Sequence, residues 1–123
     1  MTVKQLEWVD GSSVATWELD DGSCVRKRYN SPIGSACMLV DRSGVAIVEP
    51  HEEVGKCNAV IFNEDGSERF RLDLPVPESE AYCFYYMHYE EGKLRAVIAT
   101  ASRDVAVTVD PNSGKCFDLH ETR

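Results

Sequence analysis

The residues of this chain best suited to nucleophilic, acid–base or metal chemistry are three histidines and five cysteines: His51, His88, His120, and Cys24, Cys37, Cys57, Cys83 and Cys116. His51-Glu52-Glu53 offers an imidazole and carboxylates to a metal, but it follows Pro50 and has no third ligand at a recognisable spacing. It reads as a solvated turn. Each histidine has a cysteine nearby in sequence, Cys57, Cys83 and Cys116 respectively. In an extended strand, residues an even number apart share a face. Cys116 and His120 are therefore expected to face together, and Cys83 and His88 to face apart. Even the Cys116/His120 pair lacks an activating base or a helix N-terminus, which a reactive thiolate needs. No G-x-S-x-G, G-x-x-x-x-G-K-[ST] or G-x-G-x-x-G occurs, so no nucleophile elbow or phosphate cradle is in view. The cysteine count is odd, the spacing wide, and C-x-x-C absent. That disfavours both a disulfide framework and a zinc site, and leaves reduced thiols acting mainly as small core hydrophobes in a cytoplasmic protein. The expectation is a non-enzymatic protein with no catalytic, cofactor-binding or metal-binding residues.

The elements that would carry these residues are marked by glycine. Gly11, Gly22, Gly34, Gly44, Gly55 and Gly66 recur roughly every eleven residues, with Pro77, Gly92, Arg103-Asp104 and Gly114 continuing the punctuation. Asp10-Gly11, Asp21-Gly22, Ser43-Gly44, Asp65-Gly66 and Ser113-Gly114 are turn dipeptides that place glycine where φ must be positive. Segments of about seven residues between turns suit strands and are too short for most helices. Ala15, Trp17 and Leu19 alternate with polar residues, as do Phe70, Leu72 and Leu74, and Val105, Val107 and Val109. This predicts a single all-β domain over 1–123, an antiparallel meander of about ten short strands folded as a sandwich or barrel. The segments are 3–9, 13–20, 23–29, 36–41, 45–49, 58–63, 67–74, 82–89, 93–101, 104–110 and 115–120, one early segment being doubtful as a ladder strand. The place for a short helical turn is Pro77-Glu78-Ser79-Glu80-Ala81, where proline and acidic residues suit a first turn.

Ala59-Val60-Ile61-Phe62-Asn63-Glu64-Asp65-Gly66-Ser67 and Val105–Lys115 resemble the hairpins of β-propeller blades. A propeller needs at least about four blades of four strands, so the length excludes a complete one unless copies assemble.

Charge narrows the partners. Thirteen Lys+Arg against 21 Asp+Glu give a net charge of −8, which argues against non-specific nucleic-acid binding and against an anionic membrane surface. No apolar run is long enough to span a bilayer. A macromolecular partner would be a basic protein. The basic run Arg26-Lys27-Arg28 reads as protection of a sheet edge. Alternate turns of a meander lie at one end, which gathers Asp20, Asp21, Asp41, Glu64, Asp65, Glu90, Glu91 and Asp110. Asp10, Glu49, Glu52, Glu53, Glu78, Glu80 and Asp104 fall at the other. Both ends are equally net negative, so charge does not choose between a docking surface and solvated loops. The strand Tyr82–Tyr89 is aromatic on both faces, with Tyr82, Phe84 and Tyr86 expected on one and Tyr85, Met87 and Tyr89 on the other. It is either covered on both sides or presents one face to a partner. The candidate partner-binding set is Asp20, Asp21, Glu64, Asp65, Glu90, Glu91, Tyr85, Met87 and Tyr89.

A small, acidic, cysteine-tolerant all-β chain without catalytic motifs resembles, in profile, the bacterial toxin-immunity proteins that cap nuclease domains. The resemblance implies an inhibitor whose carboxylates stand in for phosphates on a basic partner. The alternatives are a small-molecule-binding barrel, its interior lined by Trp8, Trp17, Tyr82, Phe84 and Tyr86, and a homo-oligomeric scaffold.

Overall fold

The computed structural model describes residues 1–77 and 79–122. Eleven strands follow one another: β1 (Val3–Glu7), β2 (Val14–Leu19), β3 (Cys24–Arg28), β4 (Ser35–Met38), β5 (Gly44–Val48), β6 (Ala59–Asn63), β7 (Glu68–Arg71), β8 (Ala81–Glu90), β9 (Lys93–Thr100), β10 (Asp104–Val109) and β11 (Cys116–Glu121). Every pairing is antiparallel and between sequence neighbours, as short connections require. The all-β meander is as the turn spacing predicts, and all eleven segments are ladder strands. Among the described residues one helix, α1 (His51–Val54), lies in the β5–β6 connection, where the sequence reads as a solvated turn. Near 77–81 the chain makes a single turn in which the Pro77 carbonyl accepts from the Glu80 and Ala81 N–H groups; Glu78 lies outside the described residues.

The meander divides into three sheets rather than closing on itself. Sheet A is β1-β2-β3, sheet B is β4-β5-β6-β7 and sheet C is β8-β9-β10-β11. The alternation of side chains across a strand explains how they stack. Val45 and Ile47 of β5, with Val60 and Phe62 of β6, join Ala15, Trp17 and Leu19 of sheet A in one core. Ala46, Val48, Ala59 and Ile61, from the same strands, join Phe84, Met87, Ile98, Val105 and Val107 of sheet C in a second. Sheet B is thus the shared middle layer, and all of β5 is buried. A strand buried on both faces has no polar phase, which is why Val45–Val48 reads as a continuous apolar run. Gly44 opens β5 because a Cβ there would sit 2.0 Å from the Phe62 carbonyl oxygen of the paired strand.

The fold is sandwich-like, and no lumen gathers the aromatic residues expected to line a barrel. Trp17 and Phe84 are buried in different cores, and Tyr82 stands exposed on the surface. Trp8 hydrogen-bonds through Nε1 to the Ser12 carbonyl, 3.0 Å away. The run Arg26-Lys27-Arg28 lies on β3, an edge of sheet A, as its charge suggests. Lys27 turns inward, donating to the Gly66 carbonyl (2.8 Å) with its ammonium 4.4 Å from the Phe62 ring centroid.

Candidate functional site

The turns at one end of the stack are bound together. Arg69 donates to the side chain of Asn63 and to the carbonyls of Ser43 and Pro111, linking the β4–β5, β6–β7 and β10–β11 turns. Arg42 donates to the carbonyls of Val3 and Lys4, and the Val40 N–H donates to the Tyr89 hydroxyl (3.0 Å). The aspartates there serve their own turns. Asp21, Asp41 and Asp65 each accept the N–H of the serine two residues on, at 2.9 Å, and Asp110 accepts from Asn112 and Ser113. Asp20 instead accepts from the N–H and hydroxyl of Thr2. The Ser23 and Ser67 hydroxyls hold the Asp21 and Asp65 carboxyls below the ordinary carboxylate range. These are Asx-type turn caps. Of the remaining acids here, Glu90 approaches Arg95 at 3.8 Å, Glu91 occupies a positive-φ turn position, and the Glu64 carbonyl accepts the Trp17 indole N–H.

The aromatic strand differs from simple alternation. The register of β8 on β9 shifts twice, so that Tyr82 and Tyr85 are extra residues of two β-bulges. An extra residue reverses the phase of everything beyond it. Cys83, Tyr86 and His88 therefore oppose Ala99, Val97 and Arg95 on the outer face of sheet C, while Phe84 and Met87 enter the core. The Tyr85 and Tyr86 rings lie 5.5 Å apart, and those of Tyr86 and His88 5.2 Å apart. The face expected for Tyr85, Met87 and Tyr89 does not form: Tyr85 is 59% exposed, Met87 is buried, and Tyr89 packs at the edge of the core. Cys83 and His88 share a face after all. The β11 bulge around Asp118 likewise separates Cys116, packed against the core, from His120, which opposes Ala106 on the outer face. The Cys116 thiol is pushed up by burial and by the Asp73 carboxylate, contrary to what a thiolate nucleophile requires.

Tyr82, Tyr85 and Tyr86 line one wall of an open groove of about 740 Å³ at the end opposite the Asx-capped turns. Asp10, Gly11, Pro32 and the Glu49–Glu52 segment with the start of α1 form the other side. The groove is held from below by Asn58, which is buried. Its Nδ2 donates to the carbonyls of Glu49 and Phe84, and its Oδ1 accepts the Phe84 N–H, all within 2.9 Å. One asparagine thereby ties sheet B to the edge of sheet C below the outward-turned tyrosines. Two of the carboxylates nearby are committed to structure. Glu49 accepts from Tyr29 and Arg71, at 2.5 and 2.7 Å, and Glu53 accepts the N–H groups of Asn30 and Ser31. Glu52 remains exposed, with His51 Nδ1 3.6 Å away, and Asp10 is exposed at the rim. Burial, and secondarily the Glu52 carboxylate, raise the Cys83 thiol within the groove, again the wrong direction for nucleophilic chemistry. Among the described residues no group of three or more His, Cys, Asp or Glu could hold a metal ion. No helix of the described residues is long and apolar enough to cross a membrane.

The groove, and in particular Tyr82, Asp10, Glu52 and Asn58, falls outside the set singled out from sequence; only Tyr85 belongs to both. Its legible signals are the density of tyrosine in β8 and the gathering of Asp10, Glu49 and Glu52 at that end of the meander; the bulges that aim the rings leave no mark in composition. Compared with protein-family models, with curated proteins and with solved structures, the chain matches none.

Proposed function

We propose that the protein is a non-enzymatic binding module that docks a basic protein segment in the tyrosine groove. The observation that carries this reading is the pair of β8 bulges. They turn Tyr82, Tyr85 and Tyr86 out of the core, leaving Tyr82 60% and Tyr85 59% exposed beside the exposed carboxylates of Asp10 and Glu52. Exposed aromatic rings next to exposed acids suit arginine or lysine side chains, which gain cation–π and charge contacts together. Tyrosine also supplies large contact area with little entropy to lose. The net charge of −8 would steer a cationic partner toward the surface. A nuclease-like domain is the partner class that fits best, since a phosphate-binding surface is necessarily basic. The reading is thus that of an inhibitor of the immunity type, with the docking carboxylates at the groove rather than at the Asx-capped turns.

A photo-cross-linking amino acid placed at Tyr85, compared with one at exposed Lys4, tests this in cells. A covalent adduct with a basic protein is expected from position 85 and not from position 4. Tyr82→Ala with Glu52→Gln should abolish it. Absence of any adduct from positions 82 and 85, or an adduct with an acidic chain, would overturn the reading.

A further inference from the structure

β8 is an edge of sheet C, but beside the groove that edge is closed to an added strand. Asn58 takes both main-chain groups of Phe84, its Oδ1 accepting the N–H at 2.8 Å and its Nδ2 donating to the carbonyl at 2.9 Å. The Met87 N–H donates to Ser35 Oγ at 2.9 Å. Gly34 lies so close that a Cβ there would stand 3.0 Å from the Tyr85 carbonyl oxygen, and its own N–H donates to the Val48 carbonyl. The ladder positions that β-augmentation needs are thus occupied along the middle of the strand. A segment docked in the groove is held by side chains, without a ladder of main-chain hydrogen bonds.

Those side chains are of two kinds. Tyr82, Tyr85 and Tyr86 present rings, and Asp10, Glu49 and Glu52 bring carboxylates; no lysine or arginine lines the groove. Glu49 is paired with Arg71 from outside it, so Asp10 and Glu52, with His51 beside Glu52, set the sign of the rim. Tyr82 and Tyr85, the extra residues of the two bulges, are three positions apart. That is up to about 10 Å along an extended backbone. One turn of polyproline II also takes three residues and rises about 9 Å.

We propose that the basic segment docked here is proline-rich and lies as a polyproline II helix, with prolines one turn apart on Tyr82 and Tyr85 and a flanking arginine toward Glu52 and Asp10. The inference rests on the tyrosine-groove reading and names the class of ligand which that reading leaves open. Polyproline II has no internal hydrogen bonds and keeps its backbone solvated, so it asks nothing of the occupied edge. Its proline rings pack on aromatic side chains, and its stiffness before binding lowers the ordering cost in an open groove. An α-helix would need a continuous apolar trough, which a wall carrying Asp10, Glu49 and Glu52 does not offer.

Titration calorimetry of the full chain with two capped peptides of equal charge tests this. One is Arg-Pro-Pro-Ala-Pro-Pro-Arg and the other Arg-Gly-Ser-Ala-Gly-Ser-Arg. The proline peptide is expected to bind at least about tenfold more tightly, the difference that pre-organisation and ring packing supply. Tyr85→Ala should bring the two peptides to within about twofold of each other, and Glu52→Gln with Asp10→Asn should weaken both about equally. Equal affinities in the wild type would overturn the inference and leave the groove reading standing, since charge contacts alone would then hold the ligand. No binding of the proline peptide at about 1 mM would also overturn it, and cross-linking from position 85 then judges the groove reading by itself. A proline preference that survives in Tyr85→Ala would place the site elsewhere and overturn it too. Should Tyr85→Ala fail to fold by circular dichroism, Tyr82→Ala carries the same comparison, with the same outcomes.

Discussion

Glu49 is the one acidic or basic residue buried among those described, and two side chains inside the all-β stack satisfy its carboxylate oxygens. Tyr29 donates to Oε2 and Arg71 to Oε1. Burial, then the hydrogen bond and charge of Glu49, push the Tyr29 phenol far above its ordinary value, in keeping with its part as donor to Glu49. Removing Arg71 would strand a buried charge. Arg71→Ala is expected to cost about 2–3 kcal/mol, below the figure for a fully buried pair because Arg71 is one third exposed. Tyr29→Phe should cost about 1.5–3 kcal/mol, the value of a hydrogen bond to a charged group. The combined change Glu49→Leu with Arg71→Met should recover much of the Arg71→Ala loss. Urea unfolding measures all three. The turn aspartates give a separate, pH-dependent contribution. Asp21, Asp41 and Asp65 are held below 3.8, mainly by their serine hydroxyls. A depressed folded value means that this stability is complete above pH 3.8 and is lost as pH falls through the folded value. Replacing all three by asparagine keeps the turn hydrogen bond and removes the titration. The expected result is a melting temperature that falls less steeply below pH 3.8 than that of the wild type; an unchanged acid profile would refute it.

At the scale of the element, strand positions are legible in the sequence and strand phases are not. Glycine and Asp-x-Ser turns announce where the chain reverses, because positive φ and Asx capping are demands of single residues. Gly22 and Gly66 stand at φ +87 and +90. A bulge has no comparable signature. Alternation counted through Tyr82–Tyr89 puts Phe84 with Tyr86 and Met87 with Tyr85, whereas the ladder separates each pair. The same slip in β11 undoes the facing of Cys116 and His120. Consequently the apolar content of β8 was readable, and the groove it lines was not. The bulge itself can be tested. Tyr85→Ala should leave fold and stability nearly unchanged, since the side chain is 59% exposed. Deletion of Tyr85 removes the extra residue and forces the segment on one side of it into the opposite phase, bringing a core side chain such as Phe84 outward. That variant should bind a hydrophobic dye and lose its cooperative unfolding transition. A deletion that melts like the wild type would show that the bulge is dispensable.

For the whole molecule, the middle sheet decides whether three layers behave as one. Sheet B supplies Ile47 to the core shared with sheet A and Ile61 to the core shared with sheet C, from adjacent strands in which Ile47 pairs with Val60 and Ala46 with Ile61. Loss of either side chain should therefore be felt through the same pair of strands. Ile47→Ala and Ile61→Ala should each cost about 2–5 kcal/mol, the range for a truncated core aliphatic. Both should lower the urea midpoint with no change in its slope, as when one cooperative unit is destabilised. Hydrogen exchange gives the sharper comparison. In Ile47→Ala, the amides of β10 in sheet C, which the mutation does not touch, should lose protection to the same extent as those of β2 in sheet A. If β2 opened while β10 kept wild-type protection, the layers would be separate cooperative units, and the shared sheet would join them only geometrically.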